Sequence, residues 1–584
     1  MSQAPDGPFD TPVSDRDRMV IYLAVLMAFF LAALDQTIVS TALPKMVEDL
    51  HGVDRYAWVA TAYLVASAAL ALLYGRMADT YSRKHVMLGA VGLFLGGSVL
   101  SGLSGEFGTL PILGDGMTQL VVFRGIQGAG GGGLFAMTFI VIADLFTPAE
   151  RGRYQGFVGA VFGVASVLGP LIGGVLTDHA GGLIPGVEGW RWVFYVNLPV
   201  GGLALWFIVR RMPRLDPPGD RLPPDFPGAA LLLGGLIPLI LSLQLDKRRY
   251  PWLPGLGGGP IDGVAAWATL GSFAFGSALL AAFVGRSRRS ASPILDPRLF
   301  ENEVFRTANL ATIFFGAAFM SVPIFLPLFL VNVLGVSATR AGGALIPFSL
   351  GIVFGATLAG QVVERIGYRR QIVCGGLLFL GAAVLLATMG PSVEYGRVTL
   401  YMVIAGVGIG PSMPLFTLAV QNAVDVRFIG QATSASQFFR QAGATVGAAV
   451  MGSVLVATLG AAFSTMDLPA VLLAPPDASP EQFVSTGGTE LPDRIRAAYA
   501  DLAVAAPTEP EAATLREEGE REGGRIAAEL RAAFSEATSR IYWLTALIML
   551  VASALSLRIP ELVLRTTHDG AEAAARPPGG EAVG

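Results

Sequence analysis

The chain has 584 residues, of which 53% are hydrophobic and only 14% are charged, and its mean hydropathy is +0.59. A water-soluble protein carries about 25% charged residues, so this composition excludes a soluble multidomain chain. Apolar runs of about 20 residues recur along the sequence, which is the length that an α-helix needs to cross a bilayer. We therefore predict an integral membrane protein with many membrane helices.

The sequence contains no pattern typical of a metal or nucleotide site. It has one cysteine, Cys374, which excludes a disulfide within the chain, and its four histidines have no paired spacing. None of the three lysines follows a glycine, so the Gly-Lys pair of a phosphate-binding loop is missing. We predict no catalytic residue, no metal and no cofactor. We also expect no nucleic-acid partner.

The predicted elements are all helices, because the apolar runs are long and continuous rather than short and alternating. Fourteen apolar spans follow one another, at 19–43, 57–77, 86–104, 117–143, 155–177, 191–210, 227–245, 264–285, 305–333, 341–363, 371–390, 398–421, 434–460 and 541–560. We predict an all-α polytopic membrane protein with fourteen transmembrane helices.

Basic residues are distributed unequally between the loops on the two sides of the membrane. If the polar segment 1–17 is cytoplasmic, the inner loops hold roughly twice as many Arg and Lys residues as the short outer loops. By the positive-inside rule, both tails, 1–17 and 561–584, are then cytoplasmic. We predict a multi-pass protein of the inner (plasma) membrane.

An internal repeat divides the chain into two halves. Gly75–Lys84, after the second span, recurs as Gly360–Arg370 after the tenth, with a glycine, an acid and a basic residue at matching places. The repeat predicts a six-helix bundle at 18–212 and a second at 301–560, with two inserted helices in a linker at 213–300. Duplicated halves around a midplane cavity are typical of secondary transporters.

The longest predicted outer segment, 464–538, precedes the last span. Asp493–Ala503 and Ala512–Arg540 are rich in Ala, Glu, Leu and Arg, and they predict two helices that form an extracellular hairpin. A passive loop and a segment that binds a partner or shields a substrate are both compatible with this composition.

Five motifs in order along the first half carry a resemblance to a known family. They lie at Leu34–Pro44, Gly75–Lys84, Phe123–Gly130, Gly156–Gly174 and Trp190–Pro199. Weaker similarity extends into the second half at Gly360–Arg370 and Gly410-Pro411. The chain resembles the major facilitator superfamily, and within it the fourteen-helix drug:proton antiporters that export multiple drugs and quaternary ammonium compounds.

The resemblance implies a secondary exporter of lipophilic or cationic drugs, driven by proton antiport through alternating access. Its partners would be those substrates, protons and the lipid bilayer. Export of a specific native lipid, siderophore or metabolite would use the same scaffold, and a receptor or scaffold without transport activity is a remote alternative.

Asp35 and Arg124 are the predicted proton and substrate coupling pair. Both lie inside helices, where an ionised side chain costs at least ~2.5 kcal/mol unless it has water or a partner. Counting along the helices puts them at similar depth. Asp35 would hold a proton or a cation, and Arg124 would modulate its ionisation. The alternative is a permanent structural ion pair.

Two further groups are expected to control access. Asp79 and Arg83 would form a cytoplasmic latch, pairing with each other, with Asp144, or with a helix N-terminus of the opposite half. A loop that only sets topology explains Arg83 but not Asp79. In helix 5, glycines and a proline allow close approach and bending that would seal the cavity, although ordinary small-residue packing is the alternative. These antiporter-motif residues are Gly169, Pro170, Gly173 and Gly174.

Several polar side chains are candidates for lining the cavity, namely Gln127, Gln421, Asn422, Gln437 and Arg440. Arg440 is the only basic residue inside its helix, and it either serves the substrate or extends toward the membrane surface.

Overall fold

The computed structural model describes residues 14–50, 55–111, 113–182, 184, 187–216, 223–244, 263–336, 338–466, 491–506 and 508–564. Across these ranges the chain is helical, and its only β-type contact is one isolated bridge between Leu110 and Gly114. The predicted fold class is therefore confirmed. The tail predictions for 1–13 and 565–584 fall outside the described residues.

Seven helices form the first part of the chain. They are α1 Asp15–Leu50, α2 Tyr56–Ala78, α3 Arg83–Gly102, α4 Gly116–Leu145, α5 Pro148–His179, α6 Trp192–Tyr195 and α7 Asn197–Arg211. Local sequence sets two of their starts. The Asp115 side chain accepts the Thr118 N–H at 2.9 Å before α4, and Thr147 forms a capping box with Glu150 before α5.

Twelve helices follow in the rest of the described chain. They are α8 Phe226–Gln244, α9 Gly263–Ser287, α10 Glu303–Phe319, α11 Ser321–Asn332, α12 Ala338–Gly343, α13 Leu345–Ile366, α14 Tyr368–Ala387, α15 Tyr395–Ile409, α16 Ser412–Ala423, α17 Ile429–Thr465, α18 Leu491–Ala505 and α19 Glu509–Leu557. One predicted span is split into α15 and α16. Pro411 stands at this break, where it offers no N–H to continue the helix.

Within the described residues, thirteen helical segments are long and apolar enough to cross a membrane, and the shorter helix at Phe226–Leu239 is apolar as well. This number is compatible with the fourteen predicted spans. The chain is therefore a multi-pass membrane protein.

The helices pack in two groups that meet mainly along two pairs of helices. In the first part, α2 and α3 pack on α4, and α1 packs on α5 and α7; in the second, α10 packs on α17, α13 on α15 and α14 on α19. The groups join where α2 meets α17 and α5 meets α13. A Cβ on Gly360 would lie 2.2 Å from the carbonyl oxygen of Gly152, so α5 and α13 are in backbone contact. The boundaries 18–212, 213–300 and 301–560 stay a prediction.

The segment 464–538 contains the two predicted helices, with residues 467–490 and 507 outside the description. α18 packs along α19, and Leu491, Ile495 and Ile526 are buried between them. Unlike the prediction of separate helices, α19 is continuous for 49 residues and includes the last membrane span. It is about 73 Å long, more than twice the thickness of a bilayer's hydrocarbon core.

Candidate functional site

The carboxylate of Asp35 on α1 and the guanidinium of Arg124 on α4 form a buried ion pair. Arg124 Nη1 lies 2.5 Å from Asp35 Oδ2, and the two residues are 2% and 0% exposed, respectively. The two residues were predicted to lie at similar depth in the membrane, and their ion pair agrees with that prediction. Each charge has a partner in the membrane interior, where an isolated charge would be costly.

Amide side chains surround the same carboxylate. Gln127 Nε2 donates to Asp35 Oδ1 at 2.7 Å, and Asn197 Nδ2 on α7 approaches the same oxygen at 3.3 Å. Asn197 also donates to Ser98 Oγ at 3.0 Å, which extends the network to α3. Both oxygens of the Asp35 carboxylate therefore accept hydrogen bonds from side chains of the first group of helices.

Tyr63 on α2 completes the enclosure of Arg124. The guanidinium carbon lies 4.4 Å from the centre of the Tyr63 ring, a cation–π contact. Glycines of α4 leave space for this tyrosine, since a Cβ on Gly128 or Gly131 would lie 2.3 Å from its backbone oxygen or its hydroxyl. The glycine-rich part of α4 therefore allows α2 to approach the ion pair.

The predicted antiporter motif joins α5 to α1 one turn beyond Asp35. A Cβ on Gly169 would lie 2.0 Å from Thr37 Oγ1, and one on Gly173 would lie 2.3 Å from Thr41 Oγ1. Pro170 lies inside α5 and removes one helical hydrogen bond. Gly174 differs from the other two glycines, because a Cβ there would have no heavy atom within 4 Å.

The predicted latch residues lie together at the end of α2. Arg83 Nε donates to Asp144 Oδ2 at 2.8 Å, and Arg83 Nη1 donates to the carbonyl of Ala78. The two oxygens of Asp79 accept the backbone N–H groups of Gly430 and Gln431, both at 2.8 Å. Of the alternatives for this loop, Arg83 uses Asp144, and Asp79 uses the start of α17 in the second group of helices.

Close backbone packing accompanies the contact of Asp79 with α17. A Cβ on Gly75 would lie 2.5 Å from the carbonyl oxygen of Gly430, so the two helices touch. Burial raises the pKa of Asp79 to about 7, against the opposing effects of the Arg83 charge and the two backbone N–H donors. The carboxyl therefore exchanges its proton near neutral pH while this contact is closed.

Other polar residues bridge the two groups of helices near the same end. Gln155 Nε2 on α5 donates to Gln421 Oε1 on α16 at 2.8 Å, and Gln421 Nε2 donates to Thr433 Oγ1 at 2.9 Å. Asn422 Nδ2 donates to the carbonyl of Val563 at 3.2 Å. Gln421 and Asn422 are each 2% exposed, so they close the end of the bundle in this conformation.

A central cavity of about 400 Å³ lies between the two groups of helices. Gln36, Thr61 and Gln441 contribute polar groups, and Phe162 and Phe319 contribute aromatic surface. Arg440 is the only charged residue in its lining. The cavity follows α17 from Arg440 to Gly452, away from the latch, over a rise of about 18 Å.

Of the predicted cavity residues, Arg440 lines this cavity, whereas the others take different places. Gln127 faces Asp35, Gln421 and Asn422 lie near the latch end, and Gln437 Oε1 accepts from Arg440 Nη2 at 2.7 Å. Sequence reasoning missed Gln36 and Gln441. Their positions are the signal that could have identified them, because Gln36 directly follows Asp35 and Gln441 directly follows Arg440.

The described residues contain no group of three or more His, Cys, Asp or Glu side chains that could hold a metal ion. Polar and charged groups serve instead to pair helices and to line the cavity.

Membrane-spanning helices packed about a central cavity, with ionised residues buried in pairs beside it, define a class of protein, the membrane transporters. The chain belongs to the major facilitator superfamily, whose model matches residues 25–448. It is therefore a transporter and not an enzyme.

Similar proteins include drug exporters. The multidrug transporter protein MdtP of Bacillus subtilis is 35% identical over 443 residues, which is 76% of each chain. Multidrug resistance protein 3 of the same organism is 33% identical and covers 81% of this chain and 88% of its own length. The resemblance to the drug-efflux branch is therefore confirmed.

Solved structures share the fold. The proton:xylose symporter XylE bound to 6-bromo-6-deoxy-D-glucose superposes with a TM-score of 0.56 at 14% identity, over 96% of this chain and 99% of its own. The human organic anion transporter MFSD10 gives a TM-score of 0.54 at 15% identity, over 91% of this chain and 99% of its own.

Proposed function

We propose that this drug-efflux transporter exports lipophilic compounds across the inner (plasma) membrane in exchange for protons, by alternating access, with both termini in the cytoplasm. The two six-helix bundles, 18–212 and 301–560, would rock about the cavity, and the linker 213–300 would add two peripheral helices. The single observation that carries this proposal is the buried Asp35–Arg124 pair, which lies beside the cavity and not in it.

The pair supports proton coupling because it stores a charge that one proton would cancel. Protonation of Asp35 would end its ion pair with Arg124 and weaken its acceptance of the Gln127 amide. Residues next to these two helices also line the cavity, since Gln36 follows Asp35 and Leu64 follows Tyr63. Loss of the ion pair would therefore shift the side chains of α1, α2 and α4 that line the cavity. This shift would link proton binding to substrate binding.

The latch supports alternating access. Asp79, Arg83 and Asp144 hold the end of α2 against α4 and the start of α17, and the Gly152–Gly360 contact joins α5 to α13 at the same end. We assign this end to the cytoplasm because Arg76, Arg83 and Lys84 are concentrated there. The described conformation would then be closed toward the cytoplasm, with substrate leaving on the opposite side.

Antiporter-motif residues Gly169, Pro170, Gly173 and Gly174 would keep α5 sealed against α1 while the halves move. Export of one native lipid, siderophore or metabolite remains the second candidate function. The long α18–α19 hairpin favours it, because a specific exporter has a use for a segment that shields a substrate or contacts a partner beyond the membrane.

The test uses the purified full chain in liposomes. We expect an imposed pH gradient to drive accumulation of lipophilic dyes, and Asp35→Asn to abolish this accumulation while dye binding persists. Asp178→Asn, at an exposed position on α5, is the matched control and should retain it. Proton-driven accumulation by Asp35→Asn would contradict the coupling role. Growth of a deletion strain on toxic compounds, compared with its lipid and metabolite profile, separates the two functions.

A further inference from the structure

The charge in the central cavity is positive and uncompensated. Arg440 is the only ionisable group among its lining residues, and within the described chain no carboxylate lies within salt-bridge distance of the Arg440 guanidinium. By contrast, the buried side chains of Arg124 and Arg83 are each paired with an aspartate. The cavity therefore lacks an anion.

Hydrogen bonds within the protein leave much of the Arg440 guanidinium available. Nη2 donates to Gln437 Oε1 at 2.7 Å, and Nε is buried with no hydrogen-bond partner. A guanidinium offers five N–H donors in a plane that matches the two oxygens of a carboxylate or sulfonate. A second void of about 40 Å³ also adjoins Arg440, which gives the side chain room to turn toward a bound molecule.

Arg440 does not extend to the membrane surface. It lies eleven residues after Ile429, the first residue of α17, which corresponds to a depth of about 16 Å from the latch end. Gly316 allows α10 to pack directly against the backbone of α17 at this position, because a Cβ there would lie 2.1 Å from the Arg440 carbonyl oxygen. Arg440 thus lies near the middle of the membrane, where an unpaired charge is costly and marks a functional site.

Asp35 does not offer a cationic substrate an alternative in this conformation. It is 0% exposed and all of its described hydrogen bonds go to Arg124, Gln127 and Asn197. A lipophilic cation in the cavity would meet the charge of Arg440 with no carboxylate in reach. An anion would meet a charge-assisted donor and aromatic surface from Phe162 and Phe319.

We propose that Arg440 is the substrate-recognition residue of the central cavity and that it binds the carboxylate, sulfonate or phenolate of an otherwise apolar, aromatic molecule. This proposal rests on the proposed export function and names its substrate class. Amphipathic anions and zwitterions, rather than monovalent cations, are then the preferred cargo.

The test compares two dyes that differ by one charge. Rhodamine B has a free carboxylate, and rhodamine B ethyl ester has the same ring system with that carboxylate blocked. Binding of each dye to the full chain in nanodiscs is measured by fluorescence anisotropy. We expect the wild type to bind rhodamine B at least about tenfold more tightly, as for one hydrogen-bonded charged contact, and Arg440→Gln to lose this preference.

Two variants serve as controls. Arg306→Gln removes an exposed arginine from α10 and should leave the preference unchanged. Arg440→Lys keeps the charge without the planar donor pair, so it should keep part of the preference even if Arg440→Gln does not fold. Equal or tighter binding of the ester by the wild type would overturn the proposal, as would an unchanged preference in a folded Arg440→Gln variant.

Failure of the export function gives a different result. A wild type that prefers rhodamine B but moves neither dye in response to a pH gradient would refute proton-driven export and support the assignment of Arg440. A wild type that moves both dyes with no difference in affinity would support export and refute the assignment.

Discussion

Asp79 and Gly430 are joined by a hydrogen bond of 2.8 Å between residues 351 positions apart in the sequence. The second carboxylate oxygen accepts the N–H of Gln431, so one side chain caps the first turn of α17 from a different group of helices. This contact therefore forms only when α2 and α17 lie against each other at the latch.

Asp79→Asn should slow transport about tenfold, with near-normal insertion and expression. The amide places an NH₂ group where the carboxylate accepts a backbone N–H, so two donors face each other and at least one of the two hydrogen bonds to α17 is lost. The transport rate is measured in proteoliposomes. Opening of the latch is measured as the labelling rate of a cysteine introduced at the latch end. Unchanged transport would reduce Gly75–Lys84 to a loop that sets topology.

Latch closure should become more favourable as the pH falls from 8 to 6. Burial raises the pKa of Asp79 to about 7 when the latch is closed, whereas a solvated aspartate titrates near ~3.9. The closed state therefore binds the proton more tightly, and its advantage is lost as the pH rises through 7. Cysteine labelling at the latch end should fall at low pH. A pH response of the same size in Asp79→Asn would assign it to another group.

Removing the charge of Arg83 should destabilise the protein by about 3–5 kcal/mol, because Asp144 would remain buried without its partner. The double variant Arg83→Gln with Asp144→Asn should recover part of this loss, since both charges are then absent. Thermal unfolding in detergent gives the comparison. Equal losses in the single and double variants would show that the ion pair itself contributes little.

Two glycines of α5 provide a matched pair. Gly169→Ala places a Cβ 2.0 Å from Thr37 Oγ1 and should separate α1 from α5, lowering thermal stability and allowing a proton leak. Gly174→Ala faces open space and should change neither quantity. Leak is measured as dissipation of an imposed pH gradient in proteoliposomes. Similar leaks from both variants would remove the sealing role of this motif.

The sequence predicted most helices well because a membrane helix is specified by a long apolar run. It did not predict the continuity of α19, because Ala512–Arg540 is polar and looks like a separate element. Hydropathy marks where the apolar span begins, but it does not show whether the polar helix before it continues into that span. The same limitation applies to Met320, which separates α10 from α11 without a change in composition.

The depth of a residue in the membrane could be counted along a single helix. Its contact partners on other helices could not be predicted in this way. Equal depth was enough to predict that Asp35 and Arg124 can meet, and the two residues form an ion pair. The sequence could not predict which way the Gln127 side chain points, because a small rotation of α4 would turn it from Asp35 to the cavity. Whether the Arg440 side chain faces the cavity or the membrane surface was likewise not predictable from the sequence, and the structure places it in the cavity lining.

Because α19 is one continuous helix, the part outside the membrane moves together with the part that spans it. From Glu509 to Arg540 it extends about 48 Å at the helical rise. A tilt of about 10° in its membrane half would carry the Glu509 end through about 8 Å, if the helix stays straight over that length. Small rocking movements of the second group of helices are therefore magnified at a place that labels can reach, where a spin or fluorescent probe would register the transport cycle directly.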